Sequence, residues 1–510
     1  MTRSYTEKFS RFCAVVIVAL TLCFVLPLAL WSLLYSVTVT TGGGEGEIVT
    51  IVSDALLPNL LITAAALAVL FLLRSTLDRI PLRALVVILM LWVLVFGGAF
   101  VCSAKLQPTQ DPYIIGFFAR QAARGDFSYY NEYFRFFPYQ FGFALYEELF
   151  FRLFDLVLPN APEGFSSVAL QLLNVLYVAA AYFFVVKICG CVFKSERVQK
   201  YTVLLLLLFL PPVLSATLMY GSIPSFTFGL LSLWFFLLYR ESEKTVFGVL
   251  TAPALCLAVL FKLNALIFLI ALGIVWLICL LQKPSFRSAL CLVLLLAAVL
   301  LVKPLPQKLY EKRTGTDFGG GVPQWGWMAM GLSEGQSSFG WYDPKYTTSA
   351  YADLAYDADA ASDYAKEAIS AQLAEFKKSP TTALRLFARK VATQWGVPDA
   401  QSLWTNQVRP SYSSFGKLYN LVCVDADDAM FSYMNIVHQL ILVLFTVGLF
   451  LLLRRKCIID VLLPLVVLGA FLYHLIFEAK AQYALCYYLL MLPTAAFALD
   501  SISRKKERDK

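Results

Sequence analysis

Charged residues are scarce in this sequence. Asp, Glu, Lys and Arg make up 15% of its 510 residues, and hydrophobic residues make up 59%. Soluble domains carry roughly 25% charged residues. The shortage excludes a soluble protein and predicts an all-α polytopic membrane protein. The net charge of +8 does not indicate a nucleic-acid partner, because much of the Lys and Arg lies in short loops and at the termini, where it sets membrane topology.

Several sequence motifs are also missing. No Gly-x-x-x-x-Gly-Lys-Ser/Thr element occurs, so nothing indicates an ATP-driven machine. The pair Cys189-Gly-Cys191 has no partner ligands at zinc spacing, and we predict neither a metal site nor a cofactor. Cys102 and Cys423 are the only cysteines predicted to lie on the outer side. For these two, free thiols are favoured over a disulfide.

Long apolar stretches are abundant. A membrane span needs about 20 apolar residues, and about twelve stretches qualify: 12–36, 55–74, 82–103, 166–186, 201–219, 223–239, 246–261, 264–281, 287–303, 435–453, 457–477 and 483–499. Arg3, Lys8 and Arg11 place the N-terminus inside. The strongly basic short loops and the tail over 503–510 then also lie inside, provided that 139–158 does not cross the membrane.

The segment 139–158 is a poor span because it contains both acidic and basic residues. Charged side chains are costly within a bilayer. We therefore predict an amphipathic helix docked at the membrane interface, with Glu148 and Arg152 paired one helical turn apart.

This topology divides the chain into three parts. Residues 1–303 form a transmembrane core whose outer loop, 104–165, carries interfacial helices. Residues 304–434 form a long extracytoplasmic loop or cap before the last three spans. Residues 435–510 contain those spans and a basic cytoplasmic tail. The Gly-rich turn at 42–46 is predicted to be a flexible outer loop. The protein is expected in the plasma membrane, with both termini cytoplasmic.

Four cations lie where outer loops should be poor in Lys and Arg: Lys262, Lys303, Lys480 and Arg135. For any single one of these cations, snorkelling of the long side chain to the headgroup level is about as good an explanation as a binding role. Together they indicate a site for a lipid-linked phosphate or pyrophosphate, because cationic donors bind such groups strongly where water is scarce.

Asp111 is the main candidate for a catalytic group. It lies in 107–142, where charged residues alternate with many aromatic residues, as is typical of a membrane interface. A carboxylate near desolvating rings can take a proton from a substrate hydroxyl. A structural role as a turn residue before Pro112 explains the presence of Asp111 equally well. Gln110 beside it is a secondary candidate.

Glu478 is a second acidic candidate, and its alternative role is an ion pair with Lys480 or another outer cation. The two histidines, His438 and His474, both lie near the predicted outer ends of spans. They could line the same cavity, although neutral, hydrogen-bonded histidines that pack between helices are more common.

Four stretches carry a resemblance to a known family: TQDPYIIGFFARQAARGDF, EYFRFFPYQFGFALYEELFFRLF, PQWGWMAMGLSEGQSSFGWYDP and FEAKAQYALCYYLLMLP. With the pattern of spans, the sequence resembles polyprenyl-phosphate-dependent membrane glycosyltransferases of the GT-C class. The resemblance is to the branch that contains protein O-mannosyltransferases and lipid A aminoarabinose transferases. It implies transfer of a sugar, with inversion and without a catalytic metal, from a polyprenyl phosphate to an outer acceptor hydroxyl. The acceptor would be a cell-envelope glycan, protein or lipid.

The same resemblance implies roles for particular residues. Asp111 would be the base that activates the acceptor, and Arg135 and Lys480, with Tyr483, would hold the phosphate of the donor. The mannosyltransferases usually show Asp-Glu where this chain has Asp111-Pro112. That difference argues against protein O-mannosylation and leaves the acceptor open.

Two other classes of membrane protein fit parts of the pattern. Transporters often have about twelve spans, but they tend to show repeated halves and helices broken at mid-membrane, whereas the unusual charges here lie at the outer face. Polysaccharide ligases also place a large loop between late spans. They rely on a histidine in that loop, and 304–434 contains none.

Overall fold

The chain folds into a bundle of α-helices with one short β-hairpin. The structure is a computed structural model, and it describes residues 2–41, 46–128, 132–162 and 164–508. The turn predicted at 42–46 and the basic tail over 503–510 fall partly outside the described residues. The predicted class, an all-α polytopic membrane protein, is confirmed, with the hairpin as an addition.

The first half of the chain contains α1 Thr2–Ser32, β1 Tyr35–Thr41, β2 Glu47–Ser53, α2 Leu56–Leu72, α3 Arg74–Arg79, α4 Leu82–Ala104, α5 Gln110–Ala123, α6 Tyr133–Phe136, α7 Phe141–Val157, α8 Phe165–Phe193, α9 Glu196–Leu208, α10 Pro211–Leu214, α11 Ser222–Ser242 and α12 Thr245–Phe261. Short 3₁₀ turns follow α6, α10 and α12, at Pro138–Gln140, Ser215–Thr217 and Leu263–Ala265.

The second half contains α13 Leu266–Gln282, α14 Phe286–Val302, α15 Leu305–Thr314, α16 Gln324–Gly331, α17 Thr348–Asp353, α18 Ala358–Lys378, α19 Pro380–Trp395, α20 Ser402–Gln407, α21 Lys417–Asn420, α22 Asp427–Arg455, α23 Leu462–Ile476 and α24 Ala481–Arg508. A 3₁₀ turn at Pro344–Tyr346 and a π-helical turn at Leu421–Asp425 complete the helical elements.

Nine helices in the described part of the chain are long and apolar enough to cross a membrane. The pair α9 and α10, bent by 49°, would make a tenth span if it crosses as one unit. The apolar helices α12 and α23 are shorter than a full span. Each of the twelve predicted stretches coincides with one of these elements, but the count of twelve stays a prediction.

The acidic face of α7 is buried in protein rather than exposed to water. The predicted pair is present, with 2.8 Å between Arg152 Nη2 and Glu148 Oε1. From α15, the Tyr310 hydroxyl donates to Glu148 Oε2 at 2.6 Å and Arg313 Nη1 to the same oxygen at 2.9 Å. Glu147 is fully buried, and burial raises its pKa well above the usual range. Helices α5 and α15 therefore cover the acidic face of this amphipathic helix.

The two large outer segments pack together through aromatic rings. Phe118 of α5 and Phe141 of α7 each lie 5.0 Å, between ring centroids, from Tyr310 of α15. Phe141 also contacts Phe318 at 4.7 Å. Ring pairs at these separations add to the stabilisation from apolar burial. The segments 104–165 and 304–434 therefore share one hydrophobic cluster, and their division into domains stays a prediction.

The hairpin β1–β2 was not predicted from the sequence. Its strands pair antiparallel from Tyr35↔Ser53 to Thr41↔Glu47. Val37 and Val49 pack with Trp341 and Val397 of the long outer segment. This packing brings Glu47, the first residue of β2, to the start of α24.

Candidate functional site

Two carboxylates and two lysines from distant parts of the chain meet in one recess. Asp111 lies in the first turn of α5, Lys262 follows α12, and Glu478 and Lys480 lie between α23 and α24. The positive charges of Lys262 and Lys480 lower the pKa of both carboxylates, against the larger raising effect of burial. None of the four residues lies within a helix that is long and apolar enough to cross a membrane.

Two close backbone contacts place Lys262 in the recess. A Cβ atom on Gly142 would lie 2.1 Å from the carbonyl oxygen of Leu260, and one on Gly221 would lie 2.1 Å from that of Phe261. Only glycine allows backbones to approach this closely. The starts of α7 and α11 can therefore press against the end of α12, directly before Lys262.

Asp111 is held by a chain of hydrogen bonds. The Tyr220 hydroxyl donates to Asp111 Oδ2 at 3.2 Å, and Gln140 Nε2 donates to the Tyr220 hydroxyl oxygen at 2.8 Å. Burial raises the pKa of Asp111, while hydrogen bonds from Tyr220 and Tyr133 lower it. Gln110 directly before it has a φ of 52°, a conformation that is strained for a non-glycine residue and that often occurs at functional sites.

The Lys262 ammonium lies between two aromatic rings. Its Nζ atom is 3.7 Å from the ring centroid of Tyr220 and 5.0 Å from that of Tyr483. Nζ is buried and has no hydrogen-bond acceptor among the described residues. Burial lowers the pKa of Lys262 to about 7, against the raising effect of Glu478 and Asp111. Ring faces partly compensate a cation, but they leave its hydrogen-bonding capacity unused.

Glu478 is not the close partner of Lys480. Glu478 Oε2 accepts a hydrogen bond of 3.2 Å from the Tyr483 hydroxyl, and burial raises its pKa. Lys480 Nζ instead lies 2.5 Å from Glu47 Oε1. The charge of Lys480 still lowers the pKa of Glu478. Glu478 and Lys480 therefore interact electrostatically over a longer distance, without forming the direct ion pair that was the alternative role of Glu478.

His474 supports the turn between α23 and α24 that contains Glu478, and it does not line an open cavity. Its side chain is 2% exposed. Its Nδ1 atom lies 2.5 Å from the backbone carbonyl oxygen of Glu478, and its ring stacks on that of Tyr483 at 5.6 Å. The second histidine, His438, is also buried, with Nε2 3.0 Å from the backbone oxygen of Trp395. Both arrangements match the packing role that the sequence analysis preferred.

Lys390, which the sequence analysis did not single out, anchors the same turn from α19. Its Nζ atom donates to the carbonyl oxygens of Gly331, Phe477 and Leu475 at 2.5, 2.7 and 3.1 Å. Leu475 and Phe477 lie at the carboxyl end of α23, where carbonyls lack helical partners. Burial lowers the pKa of Lys390 to about 7. No signal in the sequence separates this lysine from the exposed lysines nearby.

Tyrosines line the open side of the recess. Tyr139 and Tyr342 are 39% and 37% exposed. The charges of Asp111 and Glu478 raise the pKa of both tyrosines, although burial is the larger cause. The Tyr342 hydroxyl lies 2.9 Å from Thr348 Oγ1. These rings, together with Gln140 and Tyr220, are parts of the site that the sequence analysis missed, because abundant aromatic residues give no signal for single positions.

Three predicted site residues lie outside the recess. Arg135 of α6 places its guanidinium 5.4 Å from the ring centroid of Tyr356. Lys303 is exposed at the end of α14, and Gln110 is exposed at the start of α5. The described contacts join none of the three to Lys262 or Glu478. The geometry therefore does not support a phosphate-binding role for Arg135 or Lys303.

A cavity continues from the recess into the helix bundle. It is small and is lined by Ser222, Ser225, Phe226, Lys262, Asn264, Ala265, Phe268, Gln482, Tyr483, Cys486 and Tyr487. A second small cavity shares Phe226 and Cys486 with it and is otherwise lined by Val178, Ala181, Pro212, Ile223, Leu485 and Leu489. The first cavity is partly polar, and the second is apolar.

The described part of the chain contains no group of three or more His, Cys, Asp and Glu side chains that could hold a metal ion. Cys102 and Cys423 are free thiols in the structure. The chemistry available in the recess is thus that of two carboxylates, two ammonium groups and several phenols.

Comparisons with known proteins give little further assignment. No protein-family model matches the sequence, and no curated protein matches it. Among solved structures, the fold is similar to the archaeal oligosaccharyltransferase AglB from Archaeoglobus fulgidus, in complex with an inhibitory peptide and a dolichol-phosphate. The likeness has a TM-score of 0.43 and 12% sequence identity, and it covers 82% of this chain and 50% of AglB. A likeness this slight assigns no activity to the chain.

Proposed function

We propose that this protein is a membrane glycosyltransferase that moves a sugar from a polyprenyl-phosphate donor to the hydroxyl of an extracytoplasmic acceptor. The observation that carries the proposal is the joint position of Asp111 and Lys262 around Tyr220. The Tyr220 hydroxyl bonds the carboxylate, and its ring lies against the ammonium. Glycosyl transfer from a lipid phosphate needs a base near the acceptor hydroxyl and a positive group near the leaving phosphate.

Asp111 is the proposed general base. It takes the proton of the acceptor hydroxyl while the acceptor oxygen forms a bond to the anomeric carbon of the sugar, with inversion. Burial raises the pKa of Asp111, which makes the carboxylate a stronger base than an exposed aspartate. The hydrogen bond from Tyr220 holds the carboxylate in one orientation.

Lys262 is the proposed partner of the leaving group. The bond between the anomeric carbon and the phosphate oxygen breaks, and its electron pair stays on the phosphate. A cation fixed in a site that excludes water stabilises such developing charge strongly. The Nζ atom of Lys262 is buried and has no hydrogen-bond acceptor among the described residues, so its donors are available to an incoming phosphate.

The remaining residues of the recess have supporting roles. Lys480 and Tyr483 lie beside Lys262, and Glu478 is a second carboxylate that could replace Asp111 as base. The acceptor, a cell-envelope glycan, protein or lipid, would enter past Tyr139 and Tyr342. In this proposal the recess faces the outside of the cell and both termini face the cytoplasm.

The test uses the full-length protein in lipid nanodiscs with a panel of radiolabelled polyprenyl-phosphate sugars and acceptor-rich membranes. Release of polyprenyl phosphate by the wild type, and its loss in Asp111→Asn with donor binding retained, is the expected result. Full activity in Asp111→Asn would move the base to Glu478. Neither binding nor consumption of any donor would overturn the proposal and favour a transporter.

A further inference from the structure

Exposed aromatic side chains form a strip on the outer surface that begins at the recess. Its four members are Tyr139 and Tyr342 at the recess, Trp325 of α16 and Tyr364 of α18, and each exposes more than a third of its surface. Exposed apolar patches with polar surroundings usually mark a binding surface. We call these four side chains the aromatic strip.

Tyr139 and Tyr342 form the inner end of the strip. The pKa of both phenols, which is raised mainly by burial, is also raised by the charges of Asp111 and Glu478. Such effects fall off over short distances where water is present. A molecule that lies against these two rings would therefore reach the proposed base.

Ring contacts lead from the inner end of the strip to α16. The ring centroids of Tyr139 and Phe137 are 6.1 Å apart, and those of Phe137 and Trp327 are 5.9 Å apart. Trp327 follows Trp325 on α16, with only a glycine between them. The turn that carries Tyr139 and the helix that carries Trp325 are therefore in contact through aromatic rings.

The outer end of the strip is fixed by close packing. A Cβ atom on Gly326 would lie 2.4 Å from the backbone oxygen of Tyr346, so the start of α16 approaches the turn after Tyr342 as closely as only glycine allows. The ring centroids of Tyr346 and Tyr364 are 6.0 Å apart. Helices α16 and α18 also share a small apolar cluster that contains Ala329, Leu332, Ala365 and Ile369. The exposed rings thus stand on packed helices.

The outer end of the strip faces water rather than lipid. The exposed residues next to Trp325 and Tyr364 in the sequence are polar, and they are Gln324, Asp363, Lys366 and Glu367. Aromatic residues that anchor a protein at the membrane interface flank long apolar spans. Helix α18 is not one of the described helices that could cross a membrane. These rings are therefore accessible to a partner that approaches from water.

The lysines along the strip already have acidic neighbours. Lys366 Nζ lies 2.8 Å from Asp363 Oδ1. Lys345 Nζ lies 4.9 Å from the ring centroid of Tyr346, and the charge of Asp343 acts on the same ammonium group. The strip therefore offers no surplus of positive charge to an anionic polymer.

We infer that the aromatic strip binds an uncharged glycan of several sugar units and presents a hydroxyl of its terminal sugar to Asp111. Naming this glycan as the acceptor rests on the proposed function, whereas the glycan site itself does not. The C–H groups on one face of a sugar ring pack against the negative face of an aromatic ring, and the sugar hydroxyls bond to polar groups at the ring edges. A row of exposed rings therefore offers one stacking position to each of several sugar units.

The experiment measures equilibrium binding with the full-length protein in nanodiscs, without any donor. The probes are fluorescently labelled disaccharides and hexasaccharides of three neutral series: malto-, cello- and α-1,6-manno-oligosaccharides. A hyaluronan hexasaccharide is the anionic probe, and a serine-rich heptapeptide is the peptide probe. Empty nanodiscs give the background.

The variants remove one ring at a time. Trp325→Ala removes a ring at the outer end, Trp325→Phe keeps a ring there, and Tyr139→Ala removes a ring at the inner end. The matched control is Phe415→Ala, because Phe415 is about as exposed as Tyr342 but packs on Tyr419, at 4.1 Å between ring centroids, away from α16 and α18.

We expect at least one neutral hexasaccharide to bind saturably and more tightly than its disaccharide. Trp325→Ala should weaken the hexasaccharide by about two- to tenfold, the usual contribution of one ring contact. The same variant should leave the disaccharide unchanged, because a disaccharide occupies only the inner end. Trp325→Phe should restore most of the affinity, Tyr139→Ala should weaken both lengths, and Phe415→Ala should weaken neither.

Several results would overturn the inference. These are no saturable binding of any neutral hexasaccharide, equal affinity for the two lengths, an equal loss in Phe415→Ala, and tighter binding of the heptapeptide or of hyaluronan. The proposed function fails in a different way. A protein that binds the hexasaccharide but consumes no polyprenyl-phosphate sugar would keep the glycan site and lose the transferase activity. A protein that releases polyprenyl phosphate but binds no neutral hexasaccharide would keep the activity and lose this site.

Discussion

Glu47 and Lys480 form an ion pair across 2.5 Å between the β-hairpin and the start of α24. Gln401 Nε2 also donates to Glu47 Oε1 at 3.2 Å, so the glutamate is held on both sides. Lys480 and Lys262 therefore differ in kind, although both looked alike in the sequence. Lys480 has a carboxylate within hydrogen-bonding distance, whereas Lys262 Nζ contacts the rings of Tyr220 and Tyr483 and has no hydrogen-bond acceptor among the described residues.

The first prediction follows from this pair. In Glu47→Gln, Lys480 loses its carboxylate partner and becomes available to an anion, so farnesyl phosphate should bind several-fold more tightly. The measurement is the dissociation constant of farnesyl phosphate in nanodiscs. Lys480→Gln serves as the comparison, and weaker binding in both variants would show that the intact pair supports the site.

Replacement of the proposed base is the second prediction. Asp111→Asn keeps the size of the side chain but cannot accept the proton, so turnover should fall by about 10²–10⁴-fold, the usual contribution of a general base. Steady-state release of polyprenyl phosphate measures this loss. Asp126→Asn is the matched control, since Asp126 lies in the same outer loop and its carboxylate accepts hydrogen bonds from Ser128. A fall in Asp111→Asn no larger than that in Asp126→Asn would exclude Asp111 as the base.

The sequence identified the charged centre of the site because charge at the end of an apolar span is unusual. Asp111, Lys262, Glu478 and Lys480 were found in this way, and the structure brings them together. The same signal also selected Lys303, which is exposed. Position along a span gives the depth of a side chain in the membrane but not the direction in which it points, so it cannot separate these cases.

Unusual charge along the sequence cannot identify the neutral partners of the site or its tertiary contacts. Tyr220 and Gln140 act through hydrogen bonds that form only when α5, α7 and α11 meet. The hairpin, in contrast, has a readable pattern: β-branched residues are concentrated in Tyr35–Thr41 and Glu47–Ser53, on either side of a Gly-rich segment. The Gly-rich segment taken alone predicts only a flexible loop.

A third prediction separates the two contacts of Tyr220. Tyr220→Phe removes the hydroxyl that bonds Asp111 but keeps the ring that faces Lys262. The hydrogen bond from Tyr220 lowers the pKa of Asp111, so its loss should raise that pKa further. A base is active when deprotonated, and the acidic limb of the pH–rate profile should therefore move to higher pH, by about one unit if the bond contributes about 1.4 kcal/mol.

The control for this profile is Tyr412→Phe. The hydroxyl of Tyr412 lies away from the recess and donates to Ser167 Oγ at 3.0 Å. Its acidic limb should coincide with that of the wild type. A shift to lower pH in Tyr220→Phe, or the same shift in both variants, would contradict the assignment of the limb to Asp111.

A fourth prediction concerns the anchor of the Glu478 turn. Lys390→Met leaves three carbonyl groups without their shared buried donor, and an unsatisfied buried polar group costs about 1–3 kcal/mol. Thermal unfolding in detergent should therefore begin several degrees lower. Lys377→Met, at the exposed end of α18, is the control and should leave the transition unchanged. Equal transitions in the two variants would show that the three bonds do not hold this turn.

The last prediction is a pH dependence of anion binding through Lys262. Burial lowers its pKa to about 7 in the empty site, so the side chain is cationic below pH 7 and neutral above it. A bound phosphate favours the cation and raises this pKa. Affinity for farnesyl phosphate should then be highest below pH 7 and fall by up to about tenfold per pH unit above it, until the pKa of the bound state is reached. The phosphate is already about three quarters dianionic at pH 6.5, because its second pKa is about 6, so its own titration adds little to the slope above pH 7. Titrations from pH 6.5 to 9 measure the effect.

Lys262→Arg retains a positive charge throughout and should show a flat profile. A flat wild-type profile, or the same slope in Lys262→Arg, would mean that another group controls the binding of the anion.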